Sequence, residues 1–154
     1  MLSELESAKN FALRLIKFRT RSKYELLNRL KRKHYPEEII KQVLDLLTNL
    51  GYVDDLTFAK AWVNGRLHFK PRSRKLLAYE LKNKGIEETI IEGCLAGLNS
   101  KIEEQIASKL VQKKILKFKG LSRETKKRRL IGYLSRRGFS GGISYKIINE
   151  LEEL

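Results

Sequence analysis

The chain has 154 residues, 33 of them Lys or Arg against 18 Asp or Glu, and a formal net charge of +15. That length suits one compact domain or a short repeat array. A 42% hydrophobic content excludes wholesale disorder, and apolar runs of only about four residues exclude a membrane span. The opening segment MLSELESAKN places acids where a secretory leader needs a basic stretch. The single cysteine, Cys94, excludes an internal disulfide framework and fits a reducing cytoplasm.

In chain order, a first three-helix module is predicted over about residues 4–51. Its first helix carries Phe11, Ala12, Leu15 and Ile16 and closes on the basic Arg19. The second and third helices, with the turn between them, carry Leu26, Leu30, Tyr35, Ile39, Val43, Leu44 and Leu47. Spacings of three and four residues set these on helical faces. Ser22-Lys-Tyr-Glu25 reads as a capping box. His34 takes the left-handed turn position, where it is among the more tolerant non-glycine residues. Pro36 with Glu37 and Glu38 opens the third helix, the acids complementing its positive end.

The second module, 54–98, repeats the first. A shift of 51 gives Leu77, Leu81, Ile86, Ile90, Cys94, Leu95 and Leu98, and its first helix reads Phe58, Ala59, Trp62, Val63 and Arg66. The third, 101–154, follows by a further 53: Leu130, Leu134, Phe139, Ile143, Ile147, Ile148 and Leu151, preceded by Ile106, Ala107, Leu110, Val111 and Lys114. Gly85 and Gly138 fill the turn that His34 fills in the first copy, and Ser100 with Glu103 reads as another capping box. Twenty-one apolar residues in register predict an all-α chain of three tandem three-helix repeats, divided 1–53, 54–98 and 99–154. A module this small is marginal alone, so neighbours must share interfaces in an elongated, curved array.

Charge follows the same period. Residues 9–33, 66–84 and 109–137 hold 29 of the 33 cations and three of the 18 acids, which gather on the third helices and at the two ends. Solubility alone would intersperse the signs, so the first two helices of each module are expected to present a repeated cationic surface for a polyanion. The candidate binding residues are Arg19 and Arg21; then Arg66, Arg72, Arg74 and Lys75; then Lys113, Lys114, Lys117, Arg128, Arg129, Arg136 and Arg137. Against the Leu130/Leu134 stripe, Arg128, Arg129 and Arg136 point outward, while Lys126 and Lys127 lie nearer the core side. Contacts of this kind address backbone phosphates or an acidic protein surface rather than base sequence.

Catalytic signals are missing. His34 and His68 are isolated and read as turn and helix-end residues. Cys94 and Trp62 align with core positions. Asp54-Asp55 suits a helix cap, two carboxylates being too few for a metal site. With no P-loop, Rossmann fingerprint or triad, the chain reads as a non-enzyme without cofactor or metal.

Ser22–Glu25 with Leu26, Gly51-Tyr52-Val53-Asp54-Asp55 leading into Phe58-Ala59, Glu80-Leu81-x-x-Lys84-Gly85-Ile86, and Arg136-Arg137-Gly138-Phe139 together resemble the RecX family across the whole chain. The departures are His34, where that family often has glycine, and Lys70-Pro71-Arg72, where a glycine-containing turn is common. The resemblance implies an all-helical modulator, usually an inhibitor, of the RecA recombinase. Such a protein binds RecA–DNA filaments, suppresses ATP hydrolysis and strand exchange, and binds single- and double-stranded DNA. A cytoplasmic monomer with no membrane partner is expected. Two other readings stay open: a helix-turn-helix DNA-binding regulator, disfavoured by acidic third helices (Glu87, Glu88 and Glu92), and a helical-repeat adaptor for an acidic protein.

Overall fold

A computed structural model describes residues 1–151. The last three positions of the third expected module, with the acids Glu152 and Glu153, lie outside the described residues. Nine α-helices and one short 3₁₀ turn form the described chain, with no strand among the described residues. They are α1 (Glu4–Phe18), α2 (Lys23–Arg32), α3 (Glu37–Asn49), α4 (Asp55–Phe69), α5 (Arg74–Asn83), α6 (Glu88–Leu95), α7 (Ser100–Ile115), α8 (Arg123–Arg136) and α9 (Gly141–Asn149), with the 3₁₀ turn at Leu116–Phe118. All-α architecture is what the 3.6-residue periodicity demands.

None of the 21 register positions is exposed: fifteen are buried and six half-buried. The described chain divides into two compact units, Met1–Trp62 with Glu80–Cys94, and Val63–Tyr79 with the described residues from Leu95 on. In the first, α1 packs on α2 and α3 around Ala8, Ala12, Leu26, Leu30, Ile40, Val43 and Leu47. In the second, α7 packs on α8 and α9 around Ala107, Val111, Leu130, Leu134, Phe139, Ile147 and Ile148. Alanine at the contact face of α1 and α7 lets a neighbouring helix come close, and each sealed leucine contributes about 1.5–3 kcal/mol.

The turns are as the register predicts. His34, Gly85 and Gly138 all have positive φ, at 62°, 74° and 87°. The two glycines are required a second time. A Cβ on Gly85 would overlap Tyr24, lying 2.5 Å from its Cγ, and a Cβ on Gly138 would overlap Ser73 Oγ and lie 2.6 Å from Leu76 Cβ. Each glycine turn is thus pressed by the start of the preceding repeat's second helix. His34, by contrast, is exposed, and a side chain fits there.

Local caps account for most helix starts. Ser22 forms its capping box with Glu25, and Ser3 forms a further one with Glu6. Asp54 caps α4 through the Thr57 N–H at 3.1 Å, as expected. The capping box assigned to Ser100 and Glu103 is corrected. Asn99 is the cap, accepting from Ile102 N–H at 3.0 Å, which leaves Glu103 one residue too far into the helix. Its carboxylate instead accepts the Arg74 N–H at 3.1 Å, at the start of α5. Asp55, 48 residues earlier and equivalent in register, accepts the Lys23 N–H of α2 at 2.9 Å. These acids cap the second helix of the preceding repeat. Ser22 and Ser73, equivalent and buried, add a second tie: Ser22 Oγ donates to the Lys84 carbonyl at 2.7 Å, and Ser73 N–H donates to the Arg137 carbonyl at 2.9 Å.

Two core assignments are also corrected. Trp62 is half-buried, because its indole N–H donates to Glu80 Oε2 at 2.9 Å and so keeps the ring at a polar edge. Cys94 is half-buried too, although its equivalents Val43 and Ile147 are buried.

Candidate nucleic-acid interface

In the second compact unit the segment Lys70-Pro71-Arg72-Ser73 between α4 and α5 is fastened to the end of α8. Ser73 N–H donates to the Arg137 carbonyl at 2.9 Å, and Arg137 Nη1 donates to the Pro71 carbonyl at 3.2 Å. The Arg137 guanidinium lies 4.7 Å from the Tyr133 ring centroid, and Lys114 Nζ of α7 lies 5.0 Å from the same ring. Such stacking orients cations while leaving their outward charge available. The result is a cleft of about 380 Å³ lined by Lys70, Arg72, Lys114, Tyr133, Arg136 and Arg137. Five of the six are cationic and none is acidic. Mutual repulsion among them is relieved by an anion, and arginines suit bidentate contact with phosphate.

The cleft brings together Arg72, Lys114, Arg136 and Arg137 of the expected set, and adds Lys70. Arg129, one face with Tyr133 and Arg136 on α8, is exposed, its guanidinium 5.8 Å from the Phe118 ring centroid. Arg128 is exposed but does not line the cleft, being turned about 100° from Arg129. Lys126 and Lys127 are half-buried, as their place on the helix implies. Lys113 and Lys117 are exposed and Arg66 half-buried, none of them lining the cleft. Arg74 and Lys75 are exposed in the first turn of α5, which carries no acid of its own. Cations there oppose the helix dipole, a cost that the Glu103 carboxylate offsets.

In the first unit Glu25 and a backbone carbonyl hold the candidate cations. Arg19 pairs with Glu25 at 2.9 Å, and Lys84 pairs with the same carboxylate at 2.8 Å. Arg21 is half-buried with Nε donating to the Leu15 carbonyl at 3.4 Å. Burial would raise the Glu25 pKa, but hydrogen bonds from Arg19, Lys84 and the Ser22 N–H outweigh it and hold it at about 2. Lys33, Lys84 and Arg137, the residues before the three turns, each lie over an aromatic ring: Phe11 at 5.5 Å, Trp62 at 5.1 Å and Tyr133 at 4.7 Å. Charge periodicity located the windows but could not tell a paired cation from one facing an acid-free cleft.

Of the third helices, α9 departs from the acidic pattern: Gly141–Asn149 holds no acid and one cation, Lys146, paired with Glu104 at 2.9 Å. Among the described residues no three His, Cys, Asp or Glu side chains are placed to hold a metal ion. No described helix is long and apolar enough to cross a membrane.

Three family models match the chain in order: "RecX, first three-helix domain" over residues 8–47, "RecX, second three-helix domain" over 54–95, and "RecX, third three-helix domain" over 102–148. The chain is 36% identical over 143 residues to the regulatory protein RecX of Thermobifida fusca, covering 93% of this chain and 77% of that one. It is 35% identical over 150 residues to that of Streptomyces lividans, covering 97% and 80%. A crystal structure of RecX from Lactobacillus salivarius superposes with a TM-score of 0.79 at 23% identity, covering 98% of each chain.

Proposed function

The chain belongs to the RecX family of regulatory proteins, and on that premise we propose that it binds the RecA–DNA filament and restrains its ATP hydrolysis and strand exchange. The observation that carries this reading is the acid-free cleft of Lys70, Arg72, Lys114, Arg136 and Arg137. It supports binding to the phosphates of the filament's DNA through sequence-independent contacts. A chain that holds phosphates while touching RecA protomers favours one protomer geometry. If that geometry is unfit for hydrolysis, the differential affinity is itself the inhibition.

Cosedimentation of the chain with DNA alone, with RecA alone and with the RecA–DNA filament tests the reading. Retention should be greatest on the filament, and DNA-only binding should weaken with a slope of log K against log salt of about −3 to −5 for phosphates held by five cations. A preferred DNA sequence would support the helix-turn-helix reading instead. Retention by RecA alone, unaltered by DNA, would support the acidic-surface adaptor.

A further inference from the structure

Apart from Met1, the two most exposed large apolar side chains described are Phe18, at 84%, and Phe69, at 81%. Each is the last residue of the first helix in its repeat. Phe18 stands six residues after the sealed Ala12, and Phe69 six after the buried Val63. Each ring lies within about 20° of a packed aromatic on its own helix, Phe11 for Phe18 and the buried Phe58 for Phe69, but stands beyond the last buried residue of that face. Nothing in the core requires an aromatic there. Each is embedded in cations: Lys17, Arg19 and Arg21 around Phe18, and Lys70 and Arg72 after Phe69. No acid occurs in residues 9–24 or 66–79.

A solitary exposed apolar residue asks for no explanation, but two exposed phenylalanines, each closing the first helix of a repeat within a stretch of sequence rich in cations, do. The matching partner offers both flat π-faces and dense negative charge. A duplex hides its π-faces inside the stack, whereas an unpaired strand presents them on every nucleotide. Phe69 adjoins Lys70 and Arg72, which line the phosphate-accepting cleft. Its ring meets the His68 imidazole edge-on at 4.9 Å, which leaves a face open. We propose that Phe18 and Phe69 are stacking platforms for unpaired nucleobases, each working with its own neighbouring cations, so that the chain favours single-stranded over duplex DNA. This rests on the DNA-binding reading above. The third repeat puts Leu116, 63% exposed, ahead of Lys117 at the end of α7. It offers no π-face and supplies an internal control.

The test compares wild type, Phe18→Ala, Phe69→Ala, Phe69→Trp and Leu116→Ala on three fluorescent 30-mers: oligo(dT), its duplex with oligo(dA), and an abasic strand with the same phosphates. Each Phe→Ala should weaken oligo(dT) binding by about five- to a hundredfold and duplex or abasic binding by less than about twofold. Wild type should lose a comparable factor between oligo(dT) and the abasic strand, Phe69→Trp should keep oligo(dT) binding, and Leu116→Ala should match wild type. Equal losses on all three probes would overturn the inference. So would Phe→Ala variants that bind oligo(dT) as wild type does, including the case where they lose only RecA and thereby mark a protein contact. Salt-dependent wild-type binding with unaltered Phe variants would defeat this inference alone, whereas no wild-type binding to any probe would defeat the DNA-binding reading with it.

Discussion

Replacing Gly85 by Ala separates two reasons for a glycine that are usually confounded. Gly51 and Gly85 have nearly the same backbone, with φ of 79° and 74°. Around Gly51 nothing lies within 4 Å of an added Cβ, whereas at Gly85 that Cβ would overlap Tyr24 and stand 2.5 Å from its Cγ. The left-handed conformation alone should cost either alanine variant about 1 kcal/mol. At Gly85 the clash involves the root of the Tyr24 side chain, which cannot swing aside, so an overpacking cost of about 1–3 kcal/mol is added. Gly51→Ala is expected to lose about 1 kcal/mol and Gly85→Ala about 2–4 kcal/mol by urea unfolding, read from midpoints at constant m. Tyr24→Gly should cost about 1 kcal/mol through helix propensity, yet combined with Gly85→Ala the total should fall short of the sum. His34→Gly should be near neutral, backbone relief being offset by a more flexible unfolded chain. Equal losses at Gly51 and Gly85, or strict additivity with Tyr24→Gly, would refute the packing argument.

Glu25 should give the chain an acid-sensitive tie. Its pKa is held at about 2 against an ordinary 4.5, so its contribution is full above about pH 5 and is lost as pH falls toward 2. After allowance for solvent screening it amounts to about 1–2 kcal/mol. Glu25→Gln should therefore be less stable than wild type at pH 6, with the gap closing by about pH 2; a gap constant with pH would contradict the assignment. Ser144, buried on α9, has a hydroxyl without a hydrogen-bond partner at the position that Ile40 and Ile91 fill in the other repeats. Ser144→Ala should raise stability by about 1 kcal/mol, and a loss in the thermal melt would show that the hydroxyl is satisfied in solution.

Helices and turns were legible because they are set by local pattern. The Leu26, Leu77 and Leu130 registers recur in sequence, and each turn has a residue tolerant of positive φ. Cross-repeat ties were not legible. Glu103 sits three residues after Ser100 and so imitates a capping box, but its partner is the Arg74 N–H, 29 residues away, and only the packed fold brings the two together. Trp62 aligned with leucines, yet its indole N–H needed Glu80 and kept it at an edge. The site divides in the same way. The charge windows were visible, but Arg19 is neutralised by Glu25 while Arg136 faces an acid-free cleft, a difference made by tertiary contacts. Lys70 joined the cleft only because Arg137 holds its loop, 66 residues away in sequence. Phe18 and Phe69 left no signal in the sequence pattern, since each continues an apolar helical face and only the packed fold shows that the core stops short of it.

The central claim, that the acid-free cleft is the working surface against the RecA–DNA filament, is tested most directly by titrating RecA's single-strand-dependent ATP hydrolysis. The titrants are wild type and the double variant Lys70→Glu/Arg136→Glu. Both residues are exposed, so the fold should survive with a stability change of about 0.5 kcal/mol or less per site, checked by melts run alongside. Glu87→Lys/Glu88→Lys, altering exposed acids at the start of the middle repeat's third helix, is the charge-reversal control. Wild type and control should suppress hydrolysis at the same concentration, while the folded cleft variant should need about tenfold more or fail to suppress it. A folded Lys70→Glu/Arg136→Glu chain that suppresses hydrolysis at the wild-type concentration, or a wild type that leaves hydrolysis untouched, would contradict the account.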